Sequence, residues 1–201
     1  MDGCVAYEDY TITIQPLPTA NIAGPTPVCG GTSGHIYSIQ NLQNGGGAPT
    51  YSWTFNSNPG GVASFPGATN GPTVVVNYSN PGGPTSVVLQ CVVTGSAPTS
   101  CVSEPILYNI TVNPTPAAPS ISGNSGGGPS YLGAGQTYTY SIGGPAGGIT
   151  TLNITNGTAS QTTLAGPFPQ NVNITWGTAG GGNINAVSTF NNCTGPATNF
   201  P

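Results

Sequence analysis

Short runs of alternating apolar and polar residues, each ended by glycine or proline, recur along the whole chain. The clearest is Tyr10-Thr-Ile-Thr-Ile14, in which Tyr10, Ile12 and Ile14 share one face and Gln15-Pro-Leu-Pro18 follows. Alternation with a period of two is typical of a β-strand with one buried face, and proline cannot donate to a sheet ladder. The chain has 32 Gly and 21 Pro among 201 residues, so turns are frequent. The pattern predicts an all-β protein.

A second copy of this phrase, Tyr108-Asn-Ile-Thr-Val112 followed by Asn113-Pro-Thr-Pro116, closes a first series of seven short strands. Seven strands punctuated by turns are typical of a β-sandwich, which we place at residues 19–114. The series then repeats over residues 115–201, since Ile121-Ser-Gly123 echoes Ile22-Ala-Gly24, and Tyr140-Ser-Ile142 echoes Tyr37-Ser-Ile39. We therefore expect two tandem domains, here called domain one and domain two.

The two series differ at their last strand. In domain one Cys101 is followed by the closing strand through Tyr108, whereas the residues after Cys193 do not resemble it. A matching phrase stands at residues 4–14, from Cys4-Val to Ile14. We therefore expect domain two to lack its last strand and residues 1–18 to hold a donor strand and linker. A separate strand can complete an open sheet edge by β-augmentation.

The charge of the chain excludes several function classes. It has no Lys or Arg, and its only acidic residues are Asp2, Glu8, Asp9 and Glu104. Such a chain offers nothing to neutralise phosphate, which argues against nucleic-acid binding and a polybasic membrane contact. His35 is the sole histidine and no CxxC occurs, so we expect no metal site, no cofactor and no enzyme activity.

Localisation is predicted from what the sequence lacks. No apolar run is long enough for a membrane span, and Met1-Asp-Gly-Cys4 is not a signal peptide. A neutral surface without trypsin sites suits a protein exposed to proteases and changing salt. We expect a secreted or cell-surface protein, with export followed by cleavage or with the chain forming part of a longer product.

Five cysteines leave an odd one out. Cys29 and Cys101 are the expected intrachain disulfide. Cys91 shares the face of Leu89 and is interpreted as a buried thiol, with a Cys91–Cys101 bridge as the alternative. Cys4 and Cys193 stand near the two ends and would form an intersubunit disulfide if a donor strand docks; otherwise they are free thiols or pair elsewhere.

Three other side chains are assigned structural roles. Trp53 and Trp176 fit the inward phase of their strands and are predicted to be core anchors rather than sugar platforms. His35 follows a glycine-rich turn and is expected to be exposed at the start of a strand.

Several phrases resemble a known family. Ile22-Ala-Gly-Pro-Thr-Pro-Val-Cys29, Tyr51-Ser-Trp53 and Val172-Asn-Ile-Thr-Trp-Gly177 are similar to PKD-like, immunoglobulin-like repeats of secreted and surface proteins of Bacteroidota-type bacteria. The resemblance covers nearly the whole chain, although domain two has Gly126-Gly-Gly128 where domain one has Val28-Cys29. It implies Ig-like sandwiches in an adhesive or structural module, with no catalytic site to carry over.

Three functions remain open from the sequence. The first is a structural subunit of an extracellular filament that polymerises head to tail through Tyr10, Ile12 and Ile14. The second is a two-repeat fragment of a long adhesin, with a binding surface on loops such as Asn44 to Gly47 that faces the cell surface or its glycans. The third is a carbohydrate-binding accessory module, which would need exposed aromatic side chains.

Overall fold

The computed structural model describes residues 8–11, 14–97, 100–123, 133–177 and 182–201, and these residues form sixteen β-strands with one short 3₁₀ turn. Domain one contains β1 (Thr19–Ala23), β2 (Val28–Cys29), β3 (His35–Gln43), β4 (Thr50–Ser57), β5 (Ala63–Ser64), β6 (Thr73–Tyr78), β7 (Thr85–Thr94) and β8 (Ile106–Asn113). Domain two contains β9 (Ile121–Gly123), β10 (Thr137–Ile142), β11 (Ile149–Thr155), β12 (Gly157–Ala159), β13 (Thr163–Ala165), β14 (Gln170–Trp176), β15 (Asn183–Phe190) and β16 (Cys193–Phe200).

Domain one is an Ig-like sandwich. One sheet has the strand order β1-β3-β6-β5, and the facing sheet has the order β2-β8-β7-β4. All of these pairs are antiparallel except β2 with β8, which run parallel over Val28 and Cys29. This order matches the two sheets of the immunoglobulin fold, with β2 as a short extra strand beside the last one.

Alternation in the sequence decides which side chains fill the space between the sheets of domain one. The inward positions of β7 are fully buried, as are Ile110 and Val112 of β8. Trp53 on β4 is also buried, and its indole Nε1 donates to the Gly71 carbonyl at 2.8 Å. The hydroxyls of Tyr37 and Tyr78 share a hydrogen bond of 2.8 Å inside the core. The bulky polar-tipped aromatics are therefore buried with their polar atoms satisfied.

Domain two repeats the architecture and corrects one expectation. Its sheets have the orders β12-β14-β10-β9 and β13-β11-β15-β16. The expected missing last strand is present, because β16 pairs antiparallel with β15 from Phe190–Cys193 to Ile184–Phe200. The edge of β15, where the sequence predicted a strand from another subunit, is thus paired with the chain's own residues. The two tandem Ig-like sandwiches themselves are as predicted.

A two-residue turn explains how β16 reaches this position. Asn191 and Asn192 connect β15 to β16, and both have positive φ angles, of 47° and 64°. Asparagine tolerates this left-handed region, and two such residues in sequence make the tight turn that matches strand twist. The local turn therefore aligns β16 with β15 even though Gly195 and Pro196 are poor strand formers.

The two sandwiches lie end to end. The β2–β3 and β6–β7 connections of domain one meet the β10–β11 and β15–β16 connections of domain two, so the contact is made by the loops at one end of each sandwich.

Cys91 lies in the core of domain one as a buried thiol, opposite Trp53 on the neighbouring strand. Burial raises the pKa of its thiol to about 11, from 9.0. Because the unfolded chain then loses this proton first, native stability is expected to fall as the pH rises above 9, by about 2 kcal/mol at pH 10.5 from this group. Urea denaturation at pH 7.5 and pH 10.5 measures the loss. In the Cys91→Val variant the loss should shrink, and an unchanged loss would contradict the assignment.

Candidate functional site

A disulfide joins the two domains. Cys29 at the end of β2 in domain one is bonded to Cys193 at the start of β16 in domain two, with Cα atoms 5.5 Å apart. Cys193 is almost fully buried. The sequence separation of 164 residues means that this one bond closes a loop containing most of both domains. We call the contact region around this bond the interdomain joint.

The linker between the domains is held against domain one. The side-chain amide of Asn80 donates to the Thr115 carbonyl at 2.9 Å, and the Thr115 amide donates to Asn80 Oδ1 at 2.8 Å. The Thr115 hydroxyl also donates to the Gly30 carbonyl at 2.6 Å. Pro114 and Pro116 flank Thr115 and fix their own φ angles. The linker is therefore restrained by both hydrogen bonds and proline.

Domain two contributes its own contacts to the joint. The Asn113 side chain at the end of β8 donates to the carbonyl of Asn191 in the β15–β16 turn, at 3.3 Å. The Thr198 hydroxyl on β16 donates to the Pro119 carbonyl at 2.5 Å, which attaches the last residues of the linker to domain two itself. A proline-rich crevice completes the joint; it is lined from domain one by Pro81, Pro84 and the linker, and from domain two by Pro145, Ala146 and Phe190.

The observed disulfide corrects two expectations. Cys29 does not pair with Cys101, because the two residues lie at opposite ends of β8. Cys29 is opposite Asn113, whereas Cys101 precedes Ile106 and lies against the end of β7. The length of β8 separates them by about 25 Å, and a disulfide needs Cα atoms within about 7 Å. Cys193 is likewise not available for an intersubunit bridge; Cys4 lies outside the described residues.

His35 is half-buried beside the joint rather than exposed as expected. Its Nε2 lies 2.7 Å from the Thr32 hydroxyl, and its ring meets the edge of Tyr78 at 5.4 Å between centroids. Burial lowers the pKa of His35, so the imidazole is neutral at physiological pH. This position indicates a packing role at the rim of the joint.

The N-terminal segment lies at the other end of domain one. Tyr10 and Ile14 are 81% and 87% exposed, and the predicted third member of this face, Ile12, lies outside the described residues. The tyrosine hydroxyl donates to Glu8 Oε2 at 2.6 Å, a contact within the segment. Leu17 and Pro18 lie beside Ile106, where β8 begins. We call this end of domain one, defined by Leu17, Pro18 and Ile106, the distal end, since β8 runs from there to the joint.

Both tryptophans are in the cores, where the sequence placed them. Trp53 is 2% and Trp176 is 5% exposed, and Trp176 Nε1 donates to the Tyr140 hydroxyl at 3.0 Å. Neither ring face is available for stacking on a sugar.

The part of the chain that the structure describes holds no group of three His, Cys, Asp or Glu that could bind a metal ion. No helix in those same residues is long and apolar enough to cross a bilayer.

Asn80 is expected to stabilise the joint measurably. The Asn80→Ala variant loses both hydrogen bonds to the Thr115 backbone and should lower the free energy of unfolding by about 1–3 kcal/mol. Chemical denaturation measures this loss. The exposed Asn70 provides a matched control, since Asn70→Ala should change stability by less than about 0.5 kcal/mol. Equal losses of stability in the two variants would contradict a stabilising role for the hydrogen bonds between Asn80 and Thr115.

This chain is similar to known proteins in structure only. The D00-D0 domain of Intimin has a TM-score of 0.39 and 11% identity over 91% of this chain and 100% of that chain. The D0-D1 domain of Intimin has a TM-score of 0.32 and 16% identity over 92% and 99%. Domains 5-6 of the S-layer protein SbsC have a TM-score of 0.28 and 14% identity over 91% and 97%. The chain matches no protein-family model and no curated protein. The resemblance to PKD-like repeats stays a prediction.

Proposed function

We propose that this chain is a structural subunit of an extracellular or cell-surface filament, built as one stiff rod of two Ig-like sandwiches. The observation that carries the proposal is the interdomain joint, where the Cys29–Cys193 disulfide links the domains covalently. A module that only displayed independent domains would need no such bond, since interfaces between tandem domains are usually mobile.

The chemistry of the chain supports an extracellular setting. Structural disulfides persist in oxidising compartments. A surface without Lys or Arg relies on neutral polar groups, and its interactions therefore depend little on salt. Under tension, the disulfide and the clamped linker would keep the two sandwiches aligned.

The end-to-end arrangement supports growth along one axis. The exposed segment around Tyr10 and Ile14 lies at the distal end, and domain two lies at the opposite end. Contacts between these unlike surfaces are heterologous and produce open filaments when the rotation does not close a ring. We therefore propose head-to-tail polymerisation of the rods.

Electron microscopy of the purified, oxidised chain tests this function. Filaments should show a subunit repeat on the order of 70–80 Å, since the longest strand of a sandwich spans about 33 Å and loops add to each domain. A concentration series by light scattering should show growth above a threshold. Discrete two-domain particles at every concentration would overturn the filament role.

One alternative function is compatible with the same arrangement of the two domains. A spacer module of a long adhesin would also benefit from a rigid joint, and it would remain monomeric in the same experiment. The burial of Trp53 and Trp176 argues against the carbohydrate-binding alternative, because neither indole can stack on a sugar.

A further inference from the structure

Domain two has no charged side chain. The four acidic residues of the chain, Asp2, Glu8, Asp9 and Glu104, all precede it, and residues 115–201 contain no Asp, Glu, Lys, Arg or His. Like charges on two copies of a protein repel each other and keep their surfaces apart. A surface of domain two can therefore approach the same surface of a second copy without electrostatic repulsion, whatever the salt concentration.

One side of domain two is flat as well as neutral. We call the outward side of β13, β11, β15 and β16 the neutral face; Asn153, Asn185 and Asn199 lie across its middle. The outward residues of its two central strands, β11 and β15, are Thr, Asn, Val and Ile, with no aromatic side chain among them. Short side chains on a sheet allow a second sheet to pack against it at about 10 Å.

The row of three asparagines gives this face its hydrogen-bonding groups. Asn153 on β11 is opposite Asn185 on β15, and Asn185 is opposite Asn199 on β16, so the three side chains point the same way. The Asn185 side-chain amide donates to Asn199 Oδ1 at 2.7 Å. Each amide has two N–H donors and a carbonyl with two lone pairs, more than contacts within the row require. Because every member both donates and accepts, the row is complementary to a copy of itself.

The neutral face lies on the side of the rod. β16 begins at Cys193 in the interdomain joint and runs from there to Phe200, away from domain one. The strands of this sheet therefore follow the long axis of the two-domain rod. A partner on the neutral face is a lateral neighbour, and it leaves both ends of the rod accessible.

The size of the face determines when such a contact holds. Strands of seven and eight residues, four of them side by side, form a face of about 24 by 19 Å, so two copies would bury about 900 Å² in total. Stable interfaces bury about 1,200–2,000 Å², so one pair of rods associates weakly. Filaments repeat the contact at many subunits, and the linked contacts act together.

We propose that the neutral face packs against the same face of a second copy and thereby joins neighbouring filaments into bundles. The proposal rests on the proposed filament, because a filament supplies the many copies that hold the contact together. Without an aromatic ring on its central strands the face has no platform for a sugar, which favours a protein partner over a glycan. Since no charge takes part, the bundles are insensitive to salt.

Charge placed on the face tests the contact. Asn153→Asp/Asn199→Asp has nearly the shape of the native pair and keeps an acceptor at position 199 for the Asn185 amide. Unmodified filaments should form bundles at both about 50 mM and about 500 mM NaCl. In the variant, facing carboxylates repel, and the fraction of filaments in bundles at low salt, counted in electron micrographs, should fall at least about tenfold.

The matched control carries the same added charge on the other sheet. Asn171 and Asn173 point outward from β14, and an aspartate at 173 keeps the acceptor for the Thr139 hydroxyl. Filaments of Asn171→Asp/Asn173→Asp should form bundles as the unmodified chain does.

Charge reversal tests whether like faces meet. Filaments of Asn153→Lys/Asn199→Lys should also stay single at low salt, because facing ammonium groups repel. Mixed with filaments of the aspartate variant they should form bundles at about 50 mM NaCl and separate at about 500 mM, since the contact is then between opposite charges.

Beads that display many copies of the full oxidised chain through an N-terminal biotin measure the contact without filaments. Beads with the unmodified chain or the β14 control should adhere to one another, and beads with Asn153→Asp/Asn199→Asp should stay dispersed, as followed by turbidity. Unmodified beads that stay dispersed but bind cellulose would identify a glycan as the occupant and overturn the proposal.

The outcomes separate the lateral contact from the filament role. Bundles that persist in Asn153→Asp/Asn199→Asp, or that are lost equally in the β14 control, would overturn the lateral contact and leave the filament role intact. Bead adhesion specific to the neutral face, in a chain that forms no filaments, would support the contact and overturn the filament role alone. A chain that forms no filaments and leaves its beads dispersed would overturn both.

Discussion

Loss of the Cys29–Cys193 disulfide is expected to lower the free energy of unfolding by about 2–5 kcal/mol. The bond closes a loop of 164 residues, for which the chain-entropy model predicts about 5 kcal/mol, while measured values are typically 2–4 kcal/mol. The double variant Cys29→Ser/Cys193→Ser removes the bond without leaving a new free thiol at the joint. Guanidinium denaturation followed by tryptophan fluorescence measures the change, because Trp53 and Trp176 report on one domain each.

Reduction provides the matched control for this prediction. Adding a reductant to the unmodified chain should reproduce the destabilisation, and the same reductant should leave the double variant unchanged. Unchanged stability of the unmodified chain under reductant, with its thiols shown to be free, would contradict a stabilising role for the bond.

Trp53→Ala is expected to remove about 3–5 kcal/mol from domain one. The indole is 2% exposed in the core and donates to Gly71, so truncation leaves both a cavity and an unpaired carbonyl. Since a domain is stable by only about 5–15 kcal/mol, this loss brings domain one close to unfolding. Thermal unfolding by circular dichroism should show a separate early transition.

The remaining tryptophan makes the effect domain-specific. In Trp53→Ala, the fluorescence of Trp176 reports domain two alone, and its transition should shift by less than the circular dichroism transition of domain one. Trp53→Phe keeps much of the buried area and is expected to cost less than half as much. A single coincident transition shifted equally for both probes would show that the two sandwiches unfold as one unit.

Much of the fold follows from residue spacing alone. Strict alternation on β7, with Val87, Leu89 and Cys91 inward, predicts a strand with one buried face, and the structure has that face in the core. The inward phase of Trp53 and Trp176 likewise follows from period two, because side chains on a strand alternate between its faces. The repeat of the strand series predicted two domains of similar architecture.

Features that depend on distant contacts were predicted poorly. The closing strand β16 contains Gly195 and Pro196 and has little alternation of apolar and polar residues, so its β-propensity is low. The turn at Asn191–Asn192 and the pairing with β15 nevertheless place it in the sheet. An Asn-Asn pair after an alternating run is a hairpin signal that could have revealed this strand. It would also have placed Cys193 at the end of the sandwich next to the linker.

Disulfide partners could not be assigned from spacing, since five cysteines allow many pairings. The correct pair depends on how domain two sits on domain one, and this arrangement involves contacts such as that of Asn113 with Asn191. No local pattern encodes these contacts. The predicted Cys29–Cys101 bond does not form because β8 runs from one end of domain one to the other and the two cysteines lie at its opposite ends.

Small-angle X-ray scattering of the oxidised chain tests most directly whether the two sandwiches form one stiff rod. The scattering curve should fit a single arrangement of the two domains, and the Cys29→Ser/Cys193→Ser variant should require a broader range of interdomain angles. An oxidised chain that already requires such a range, with its disulfide shown to be intact, would contradict the account.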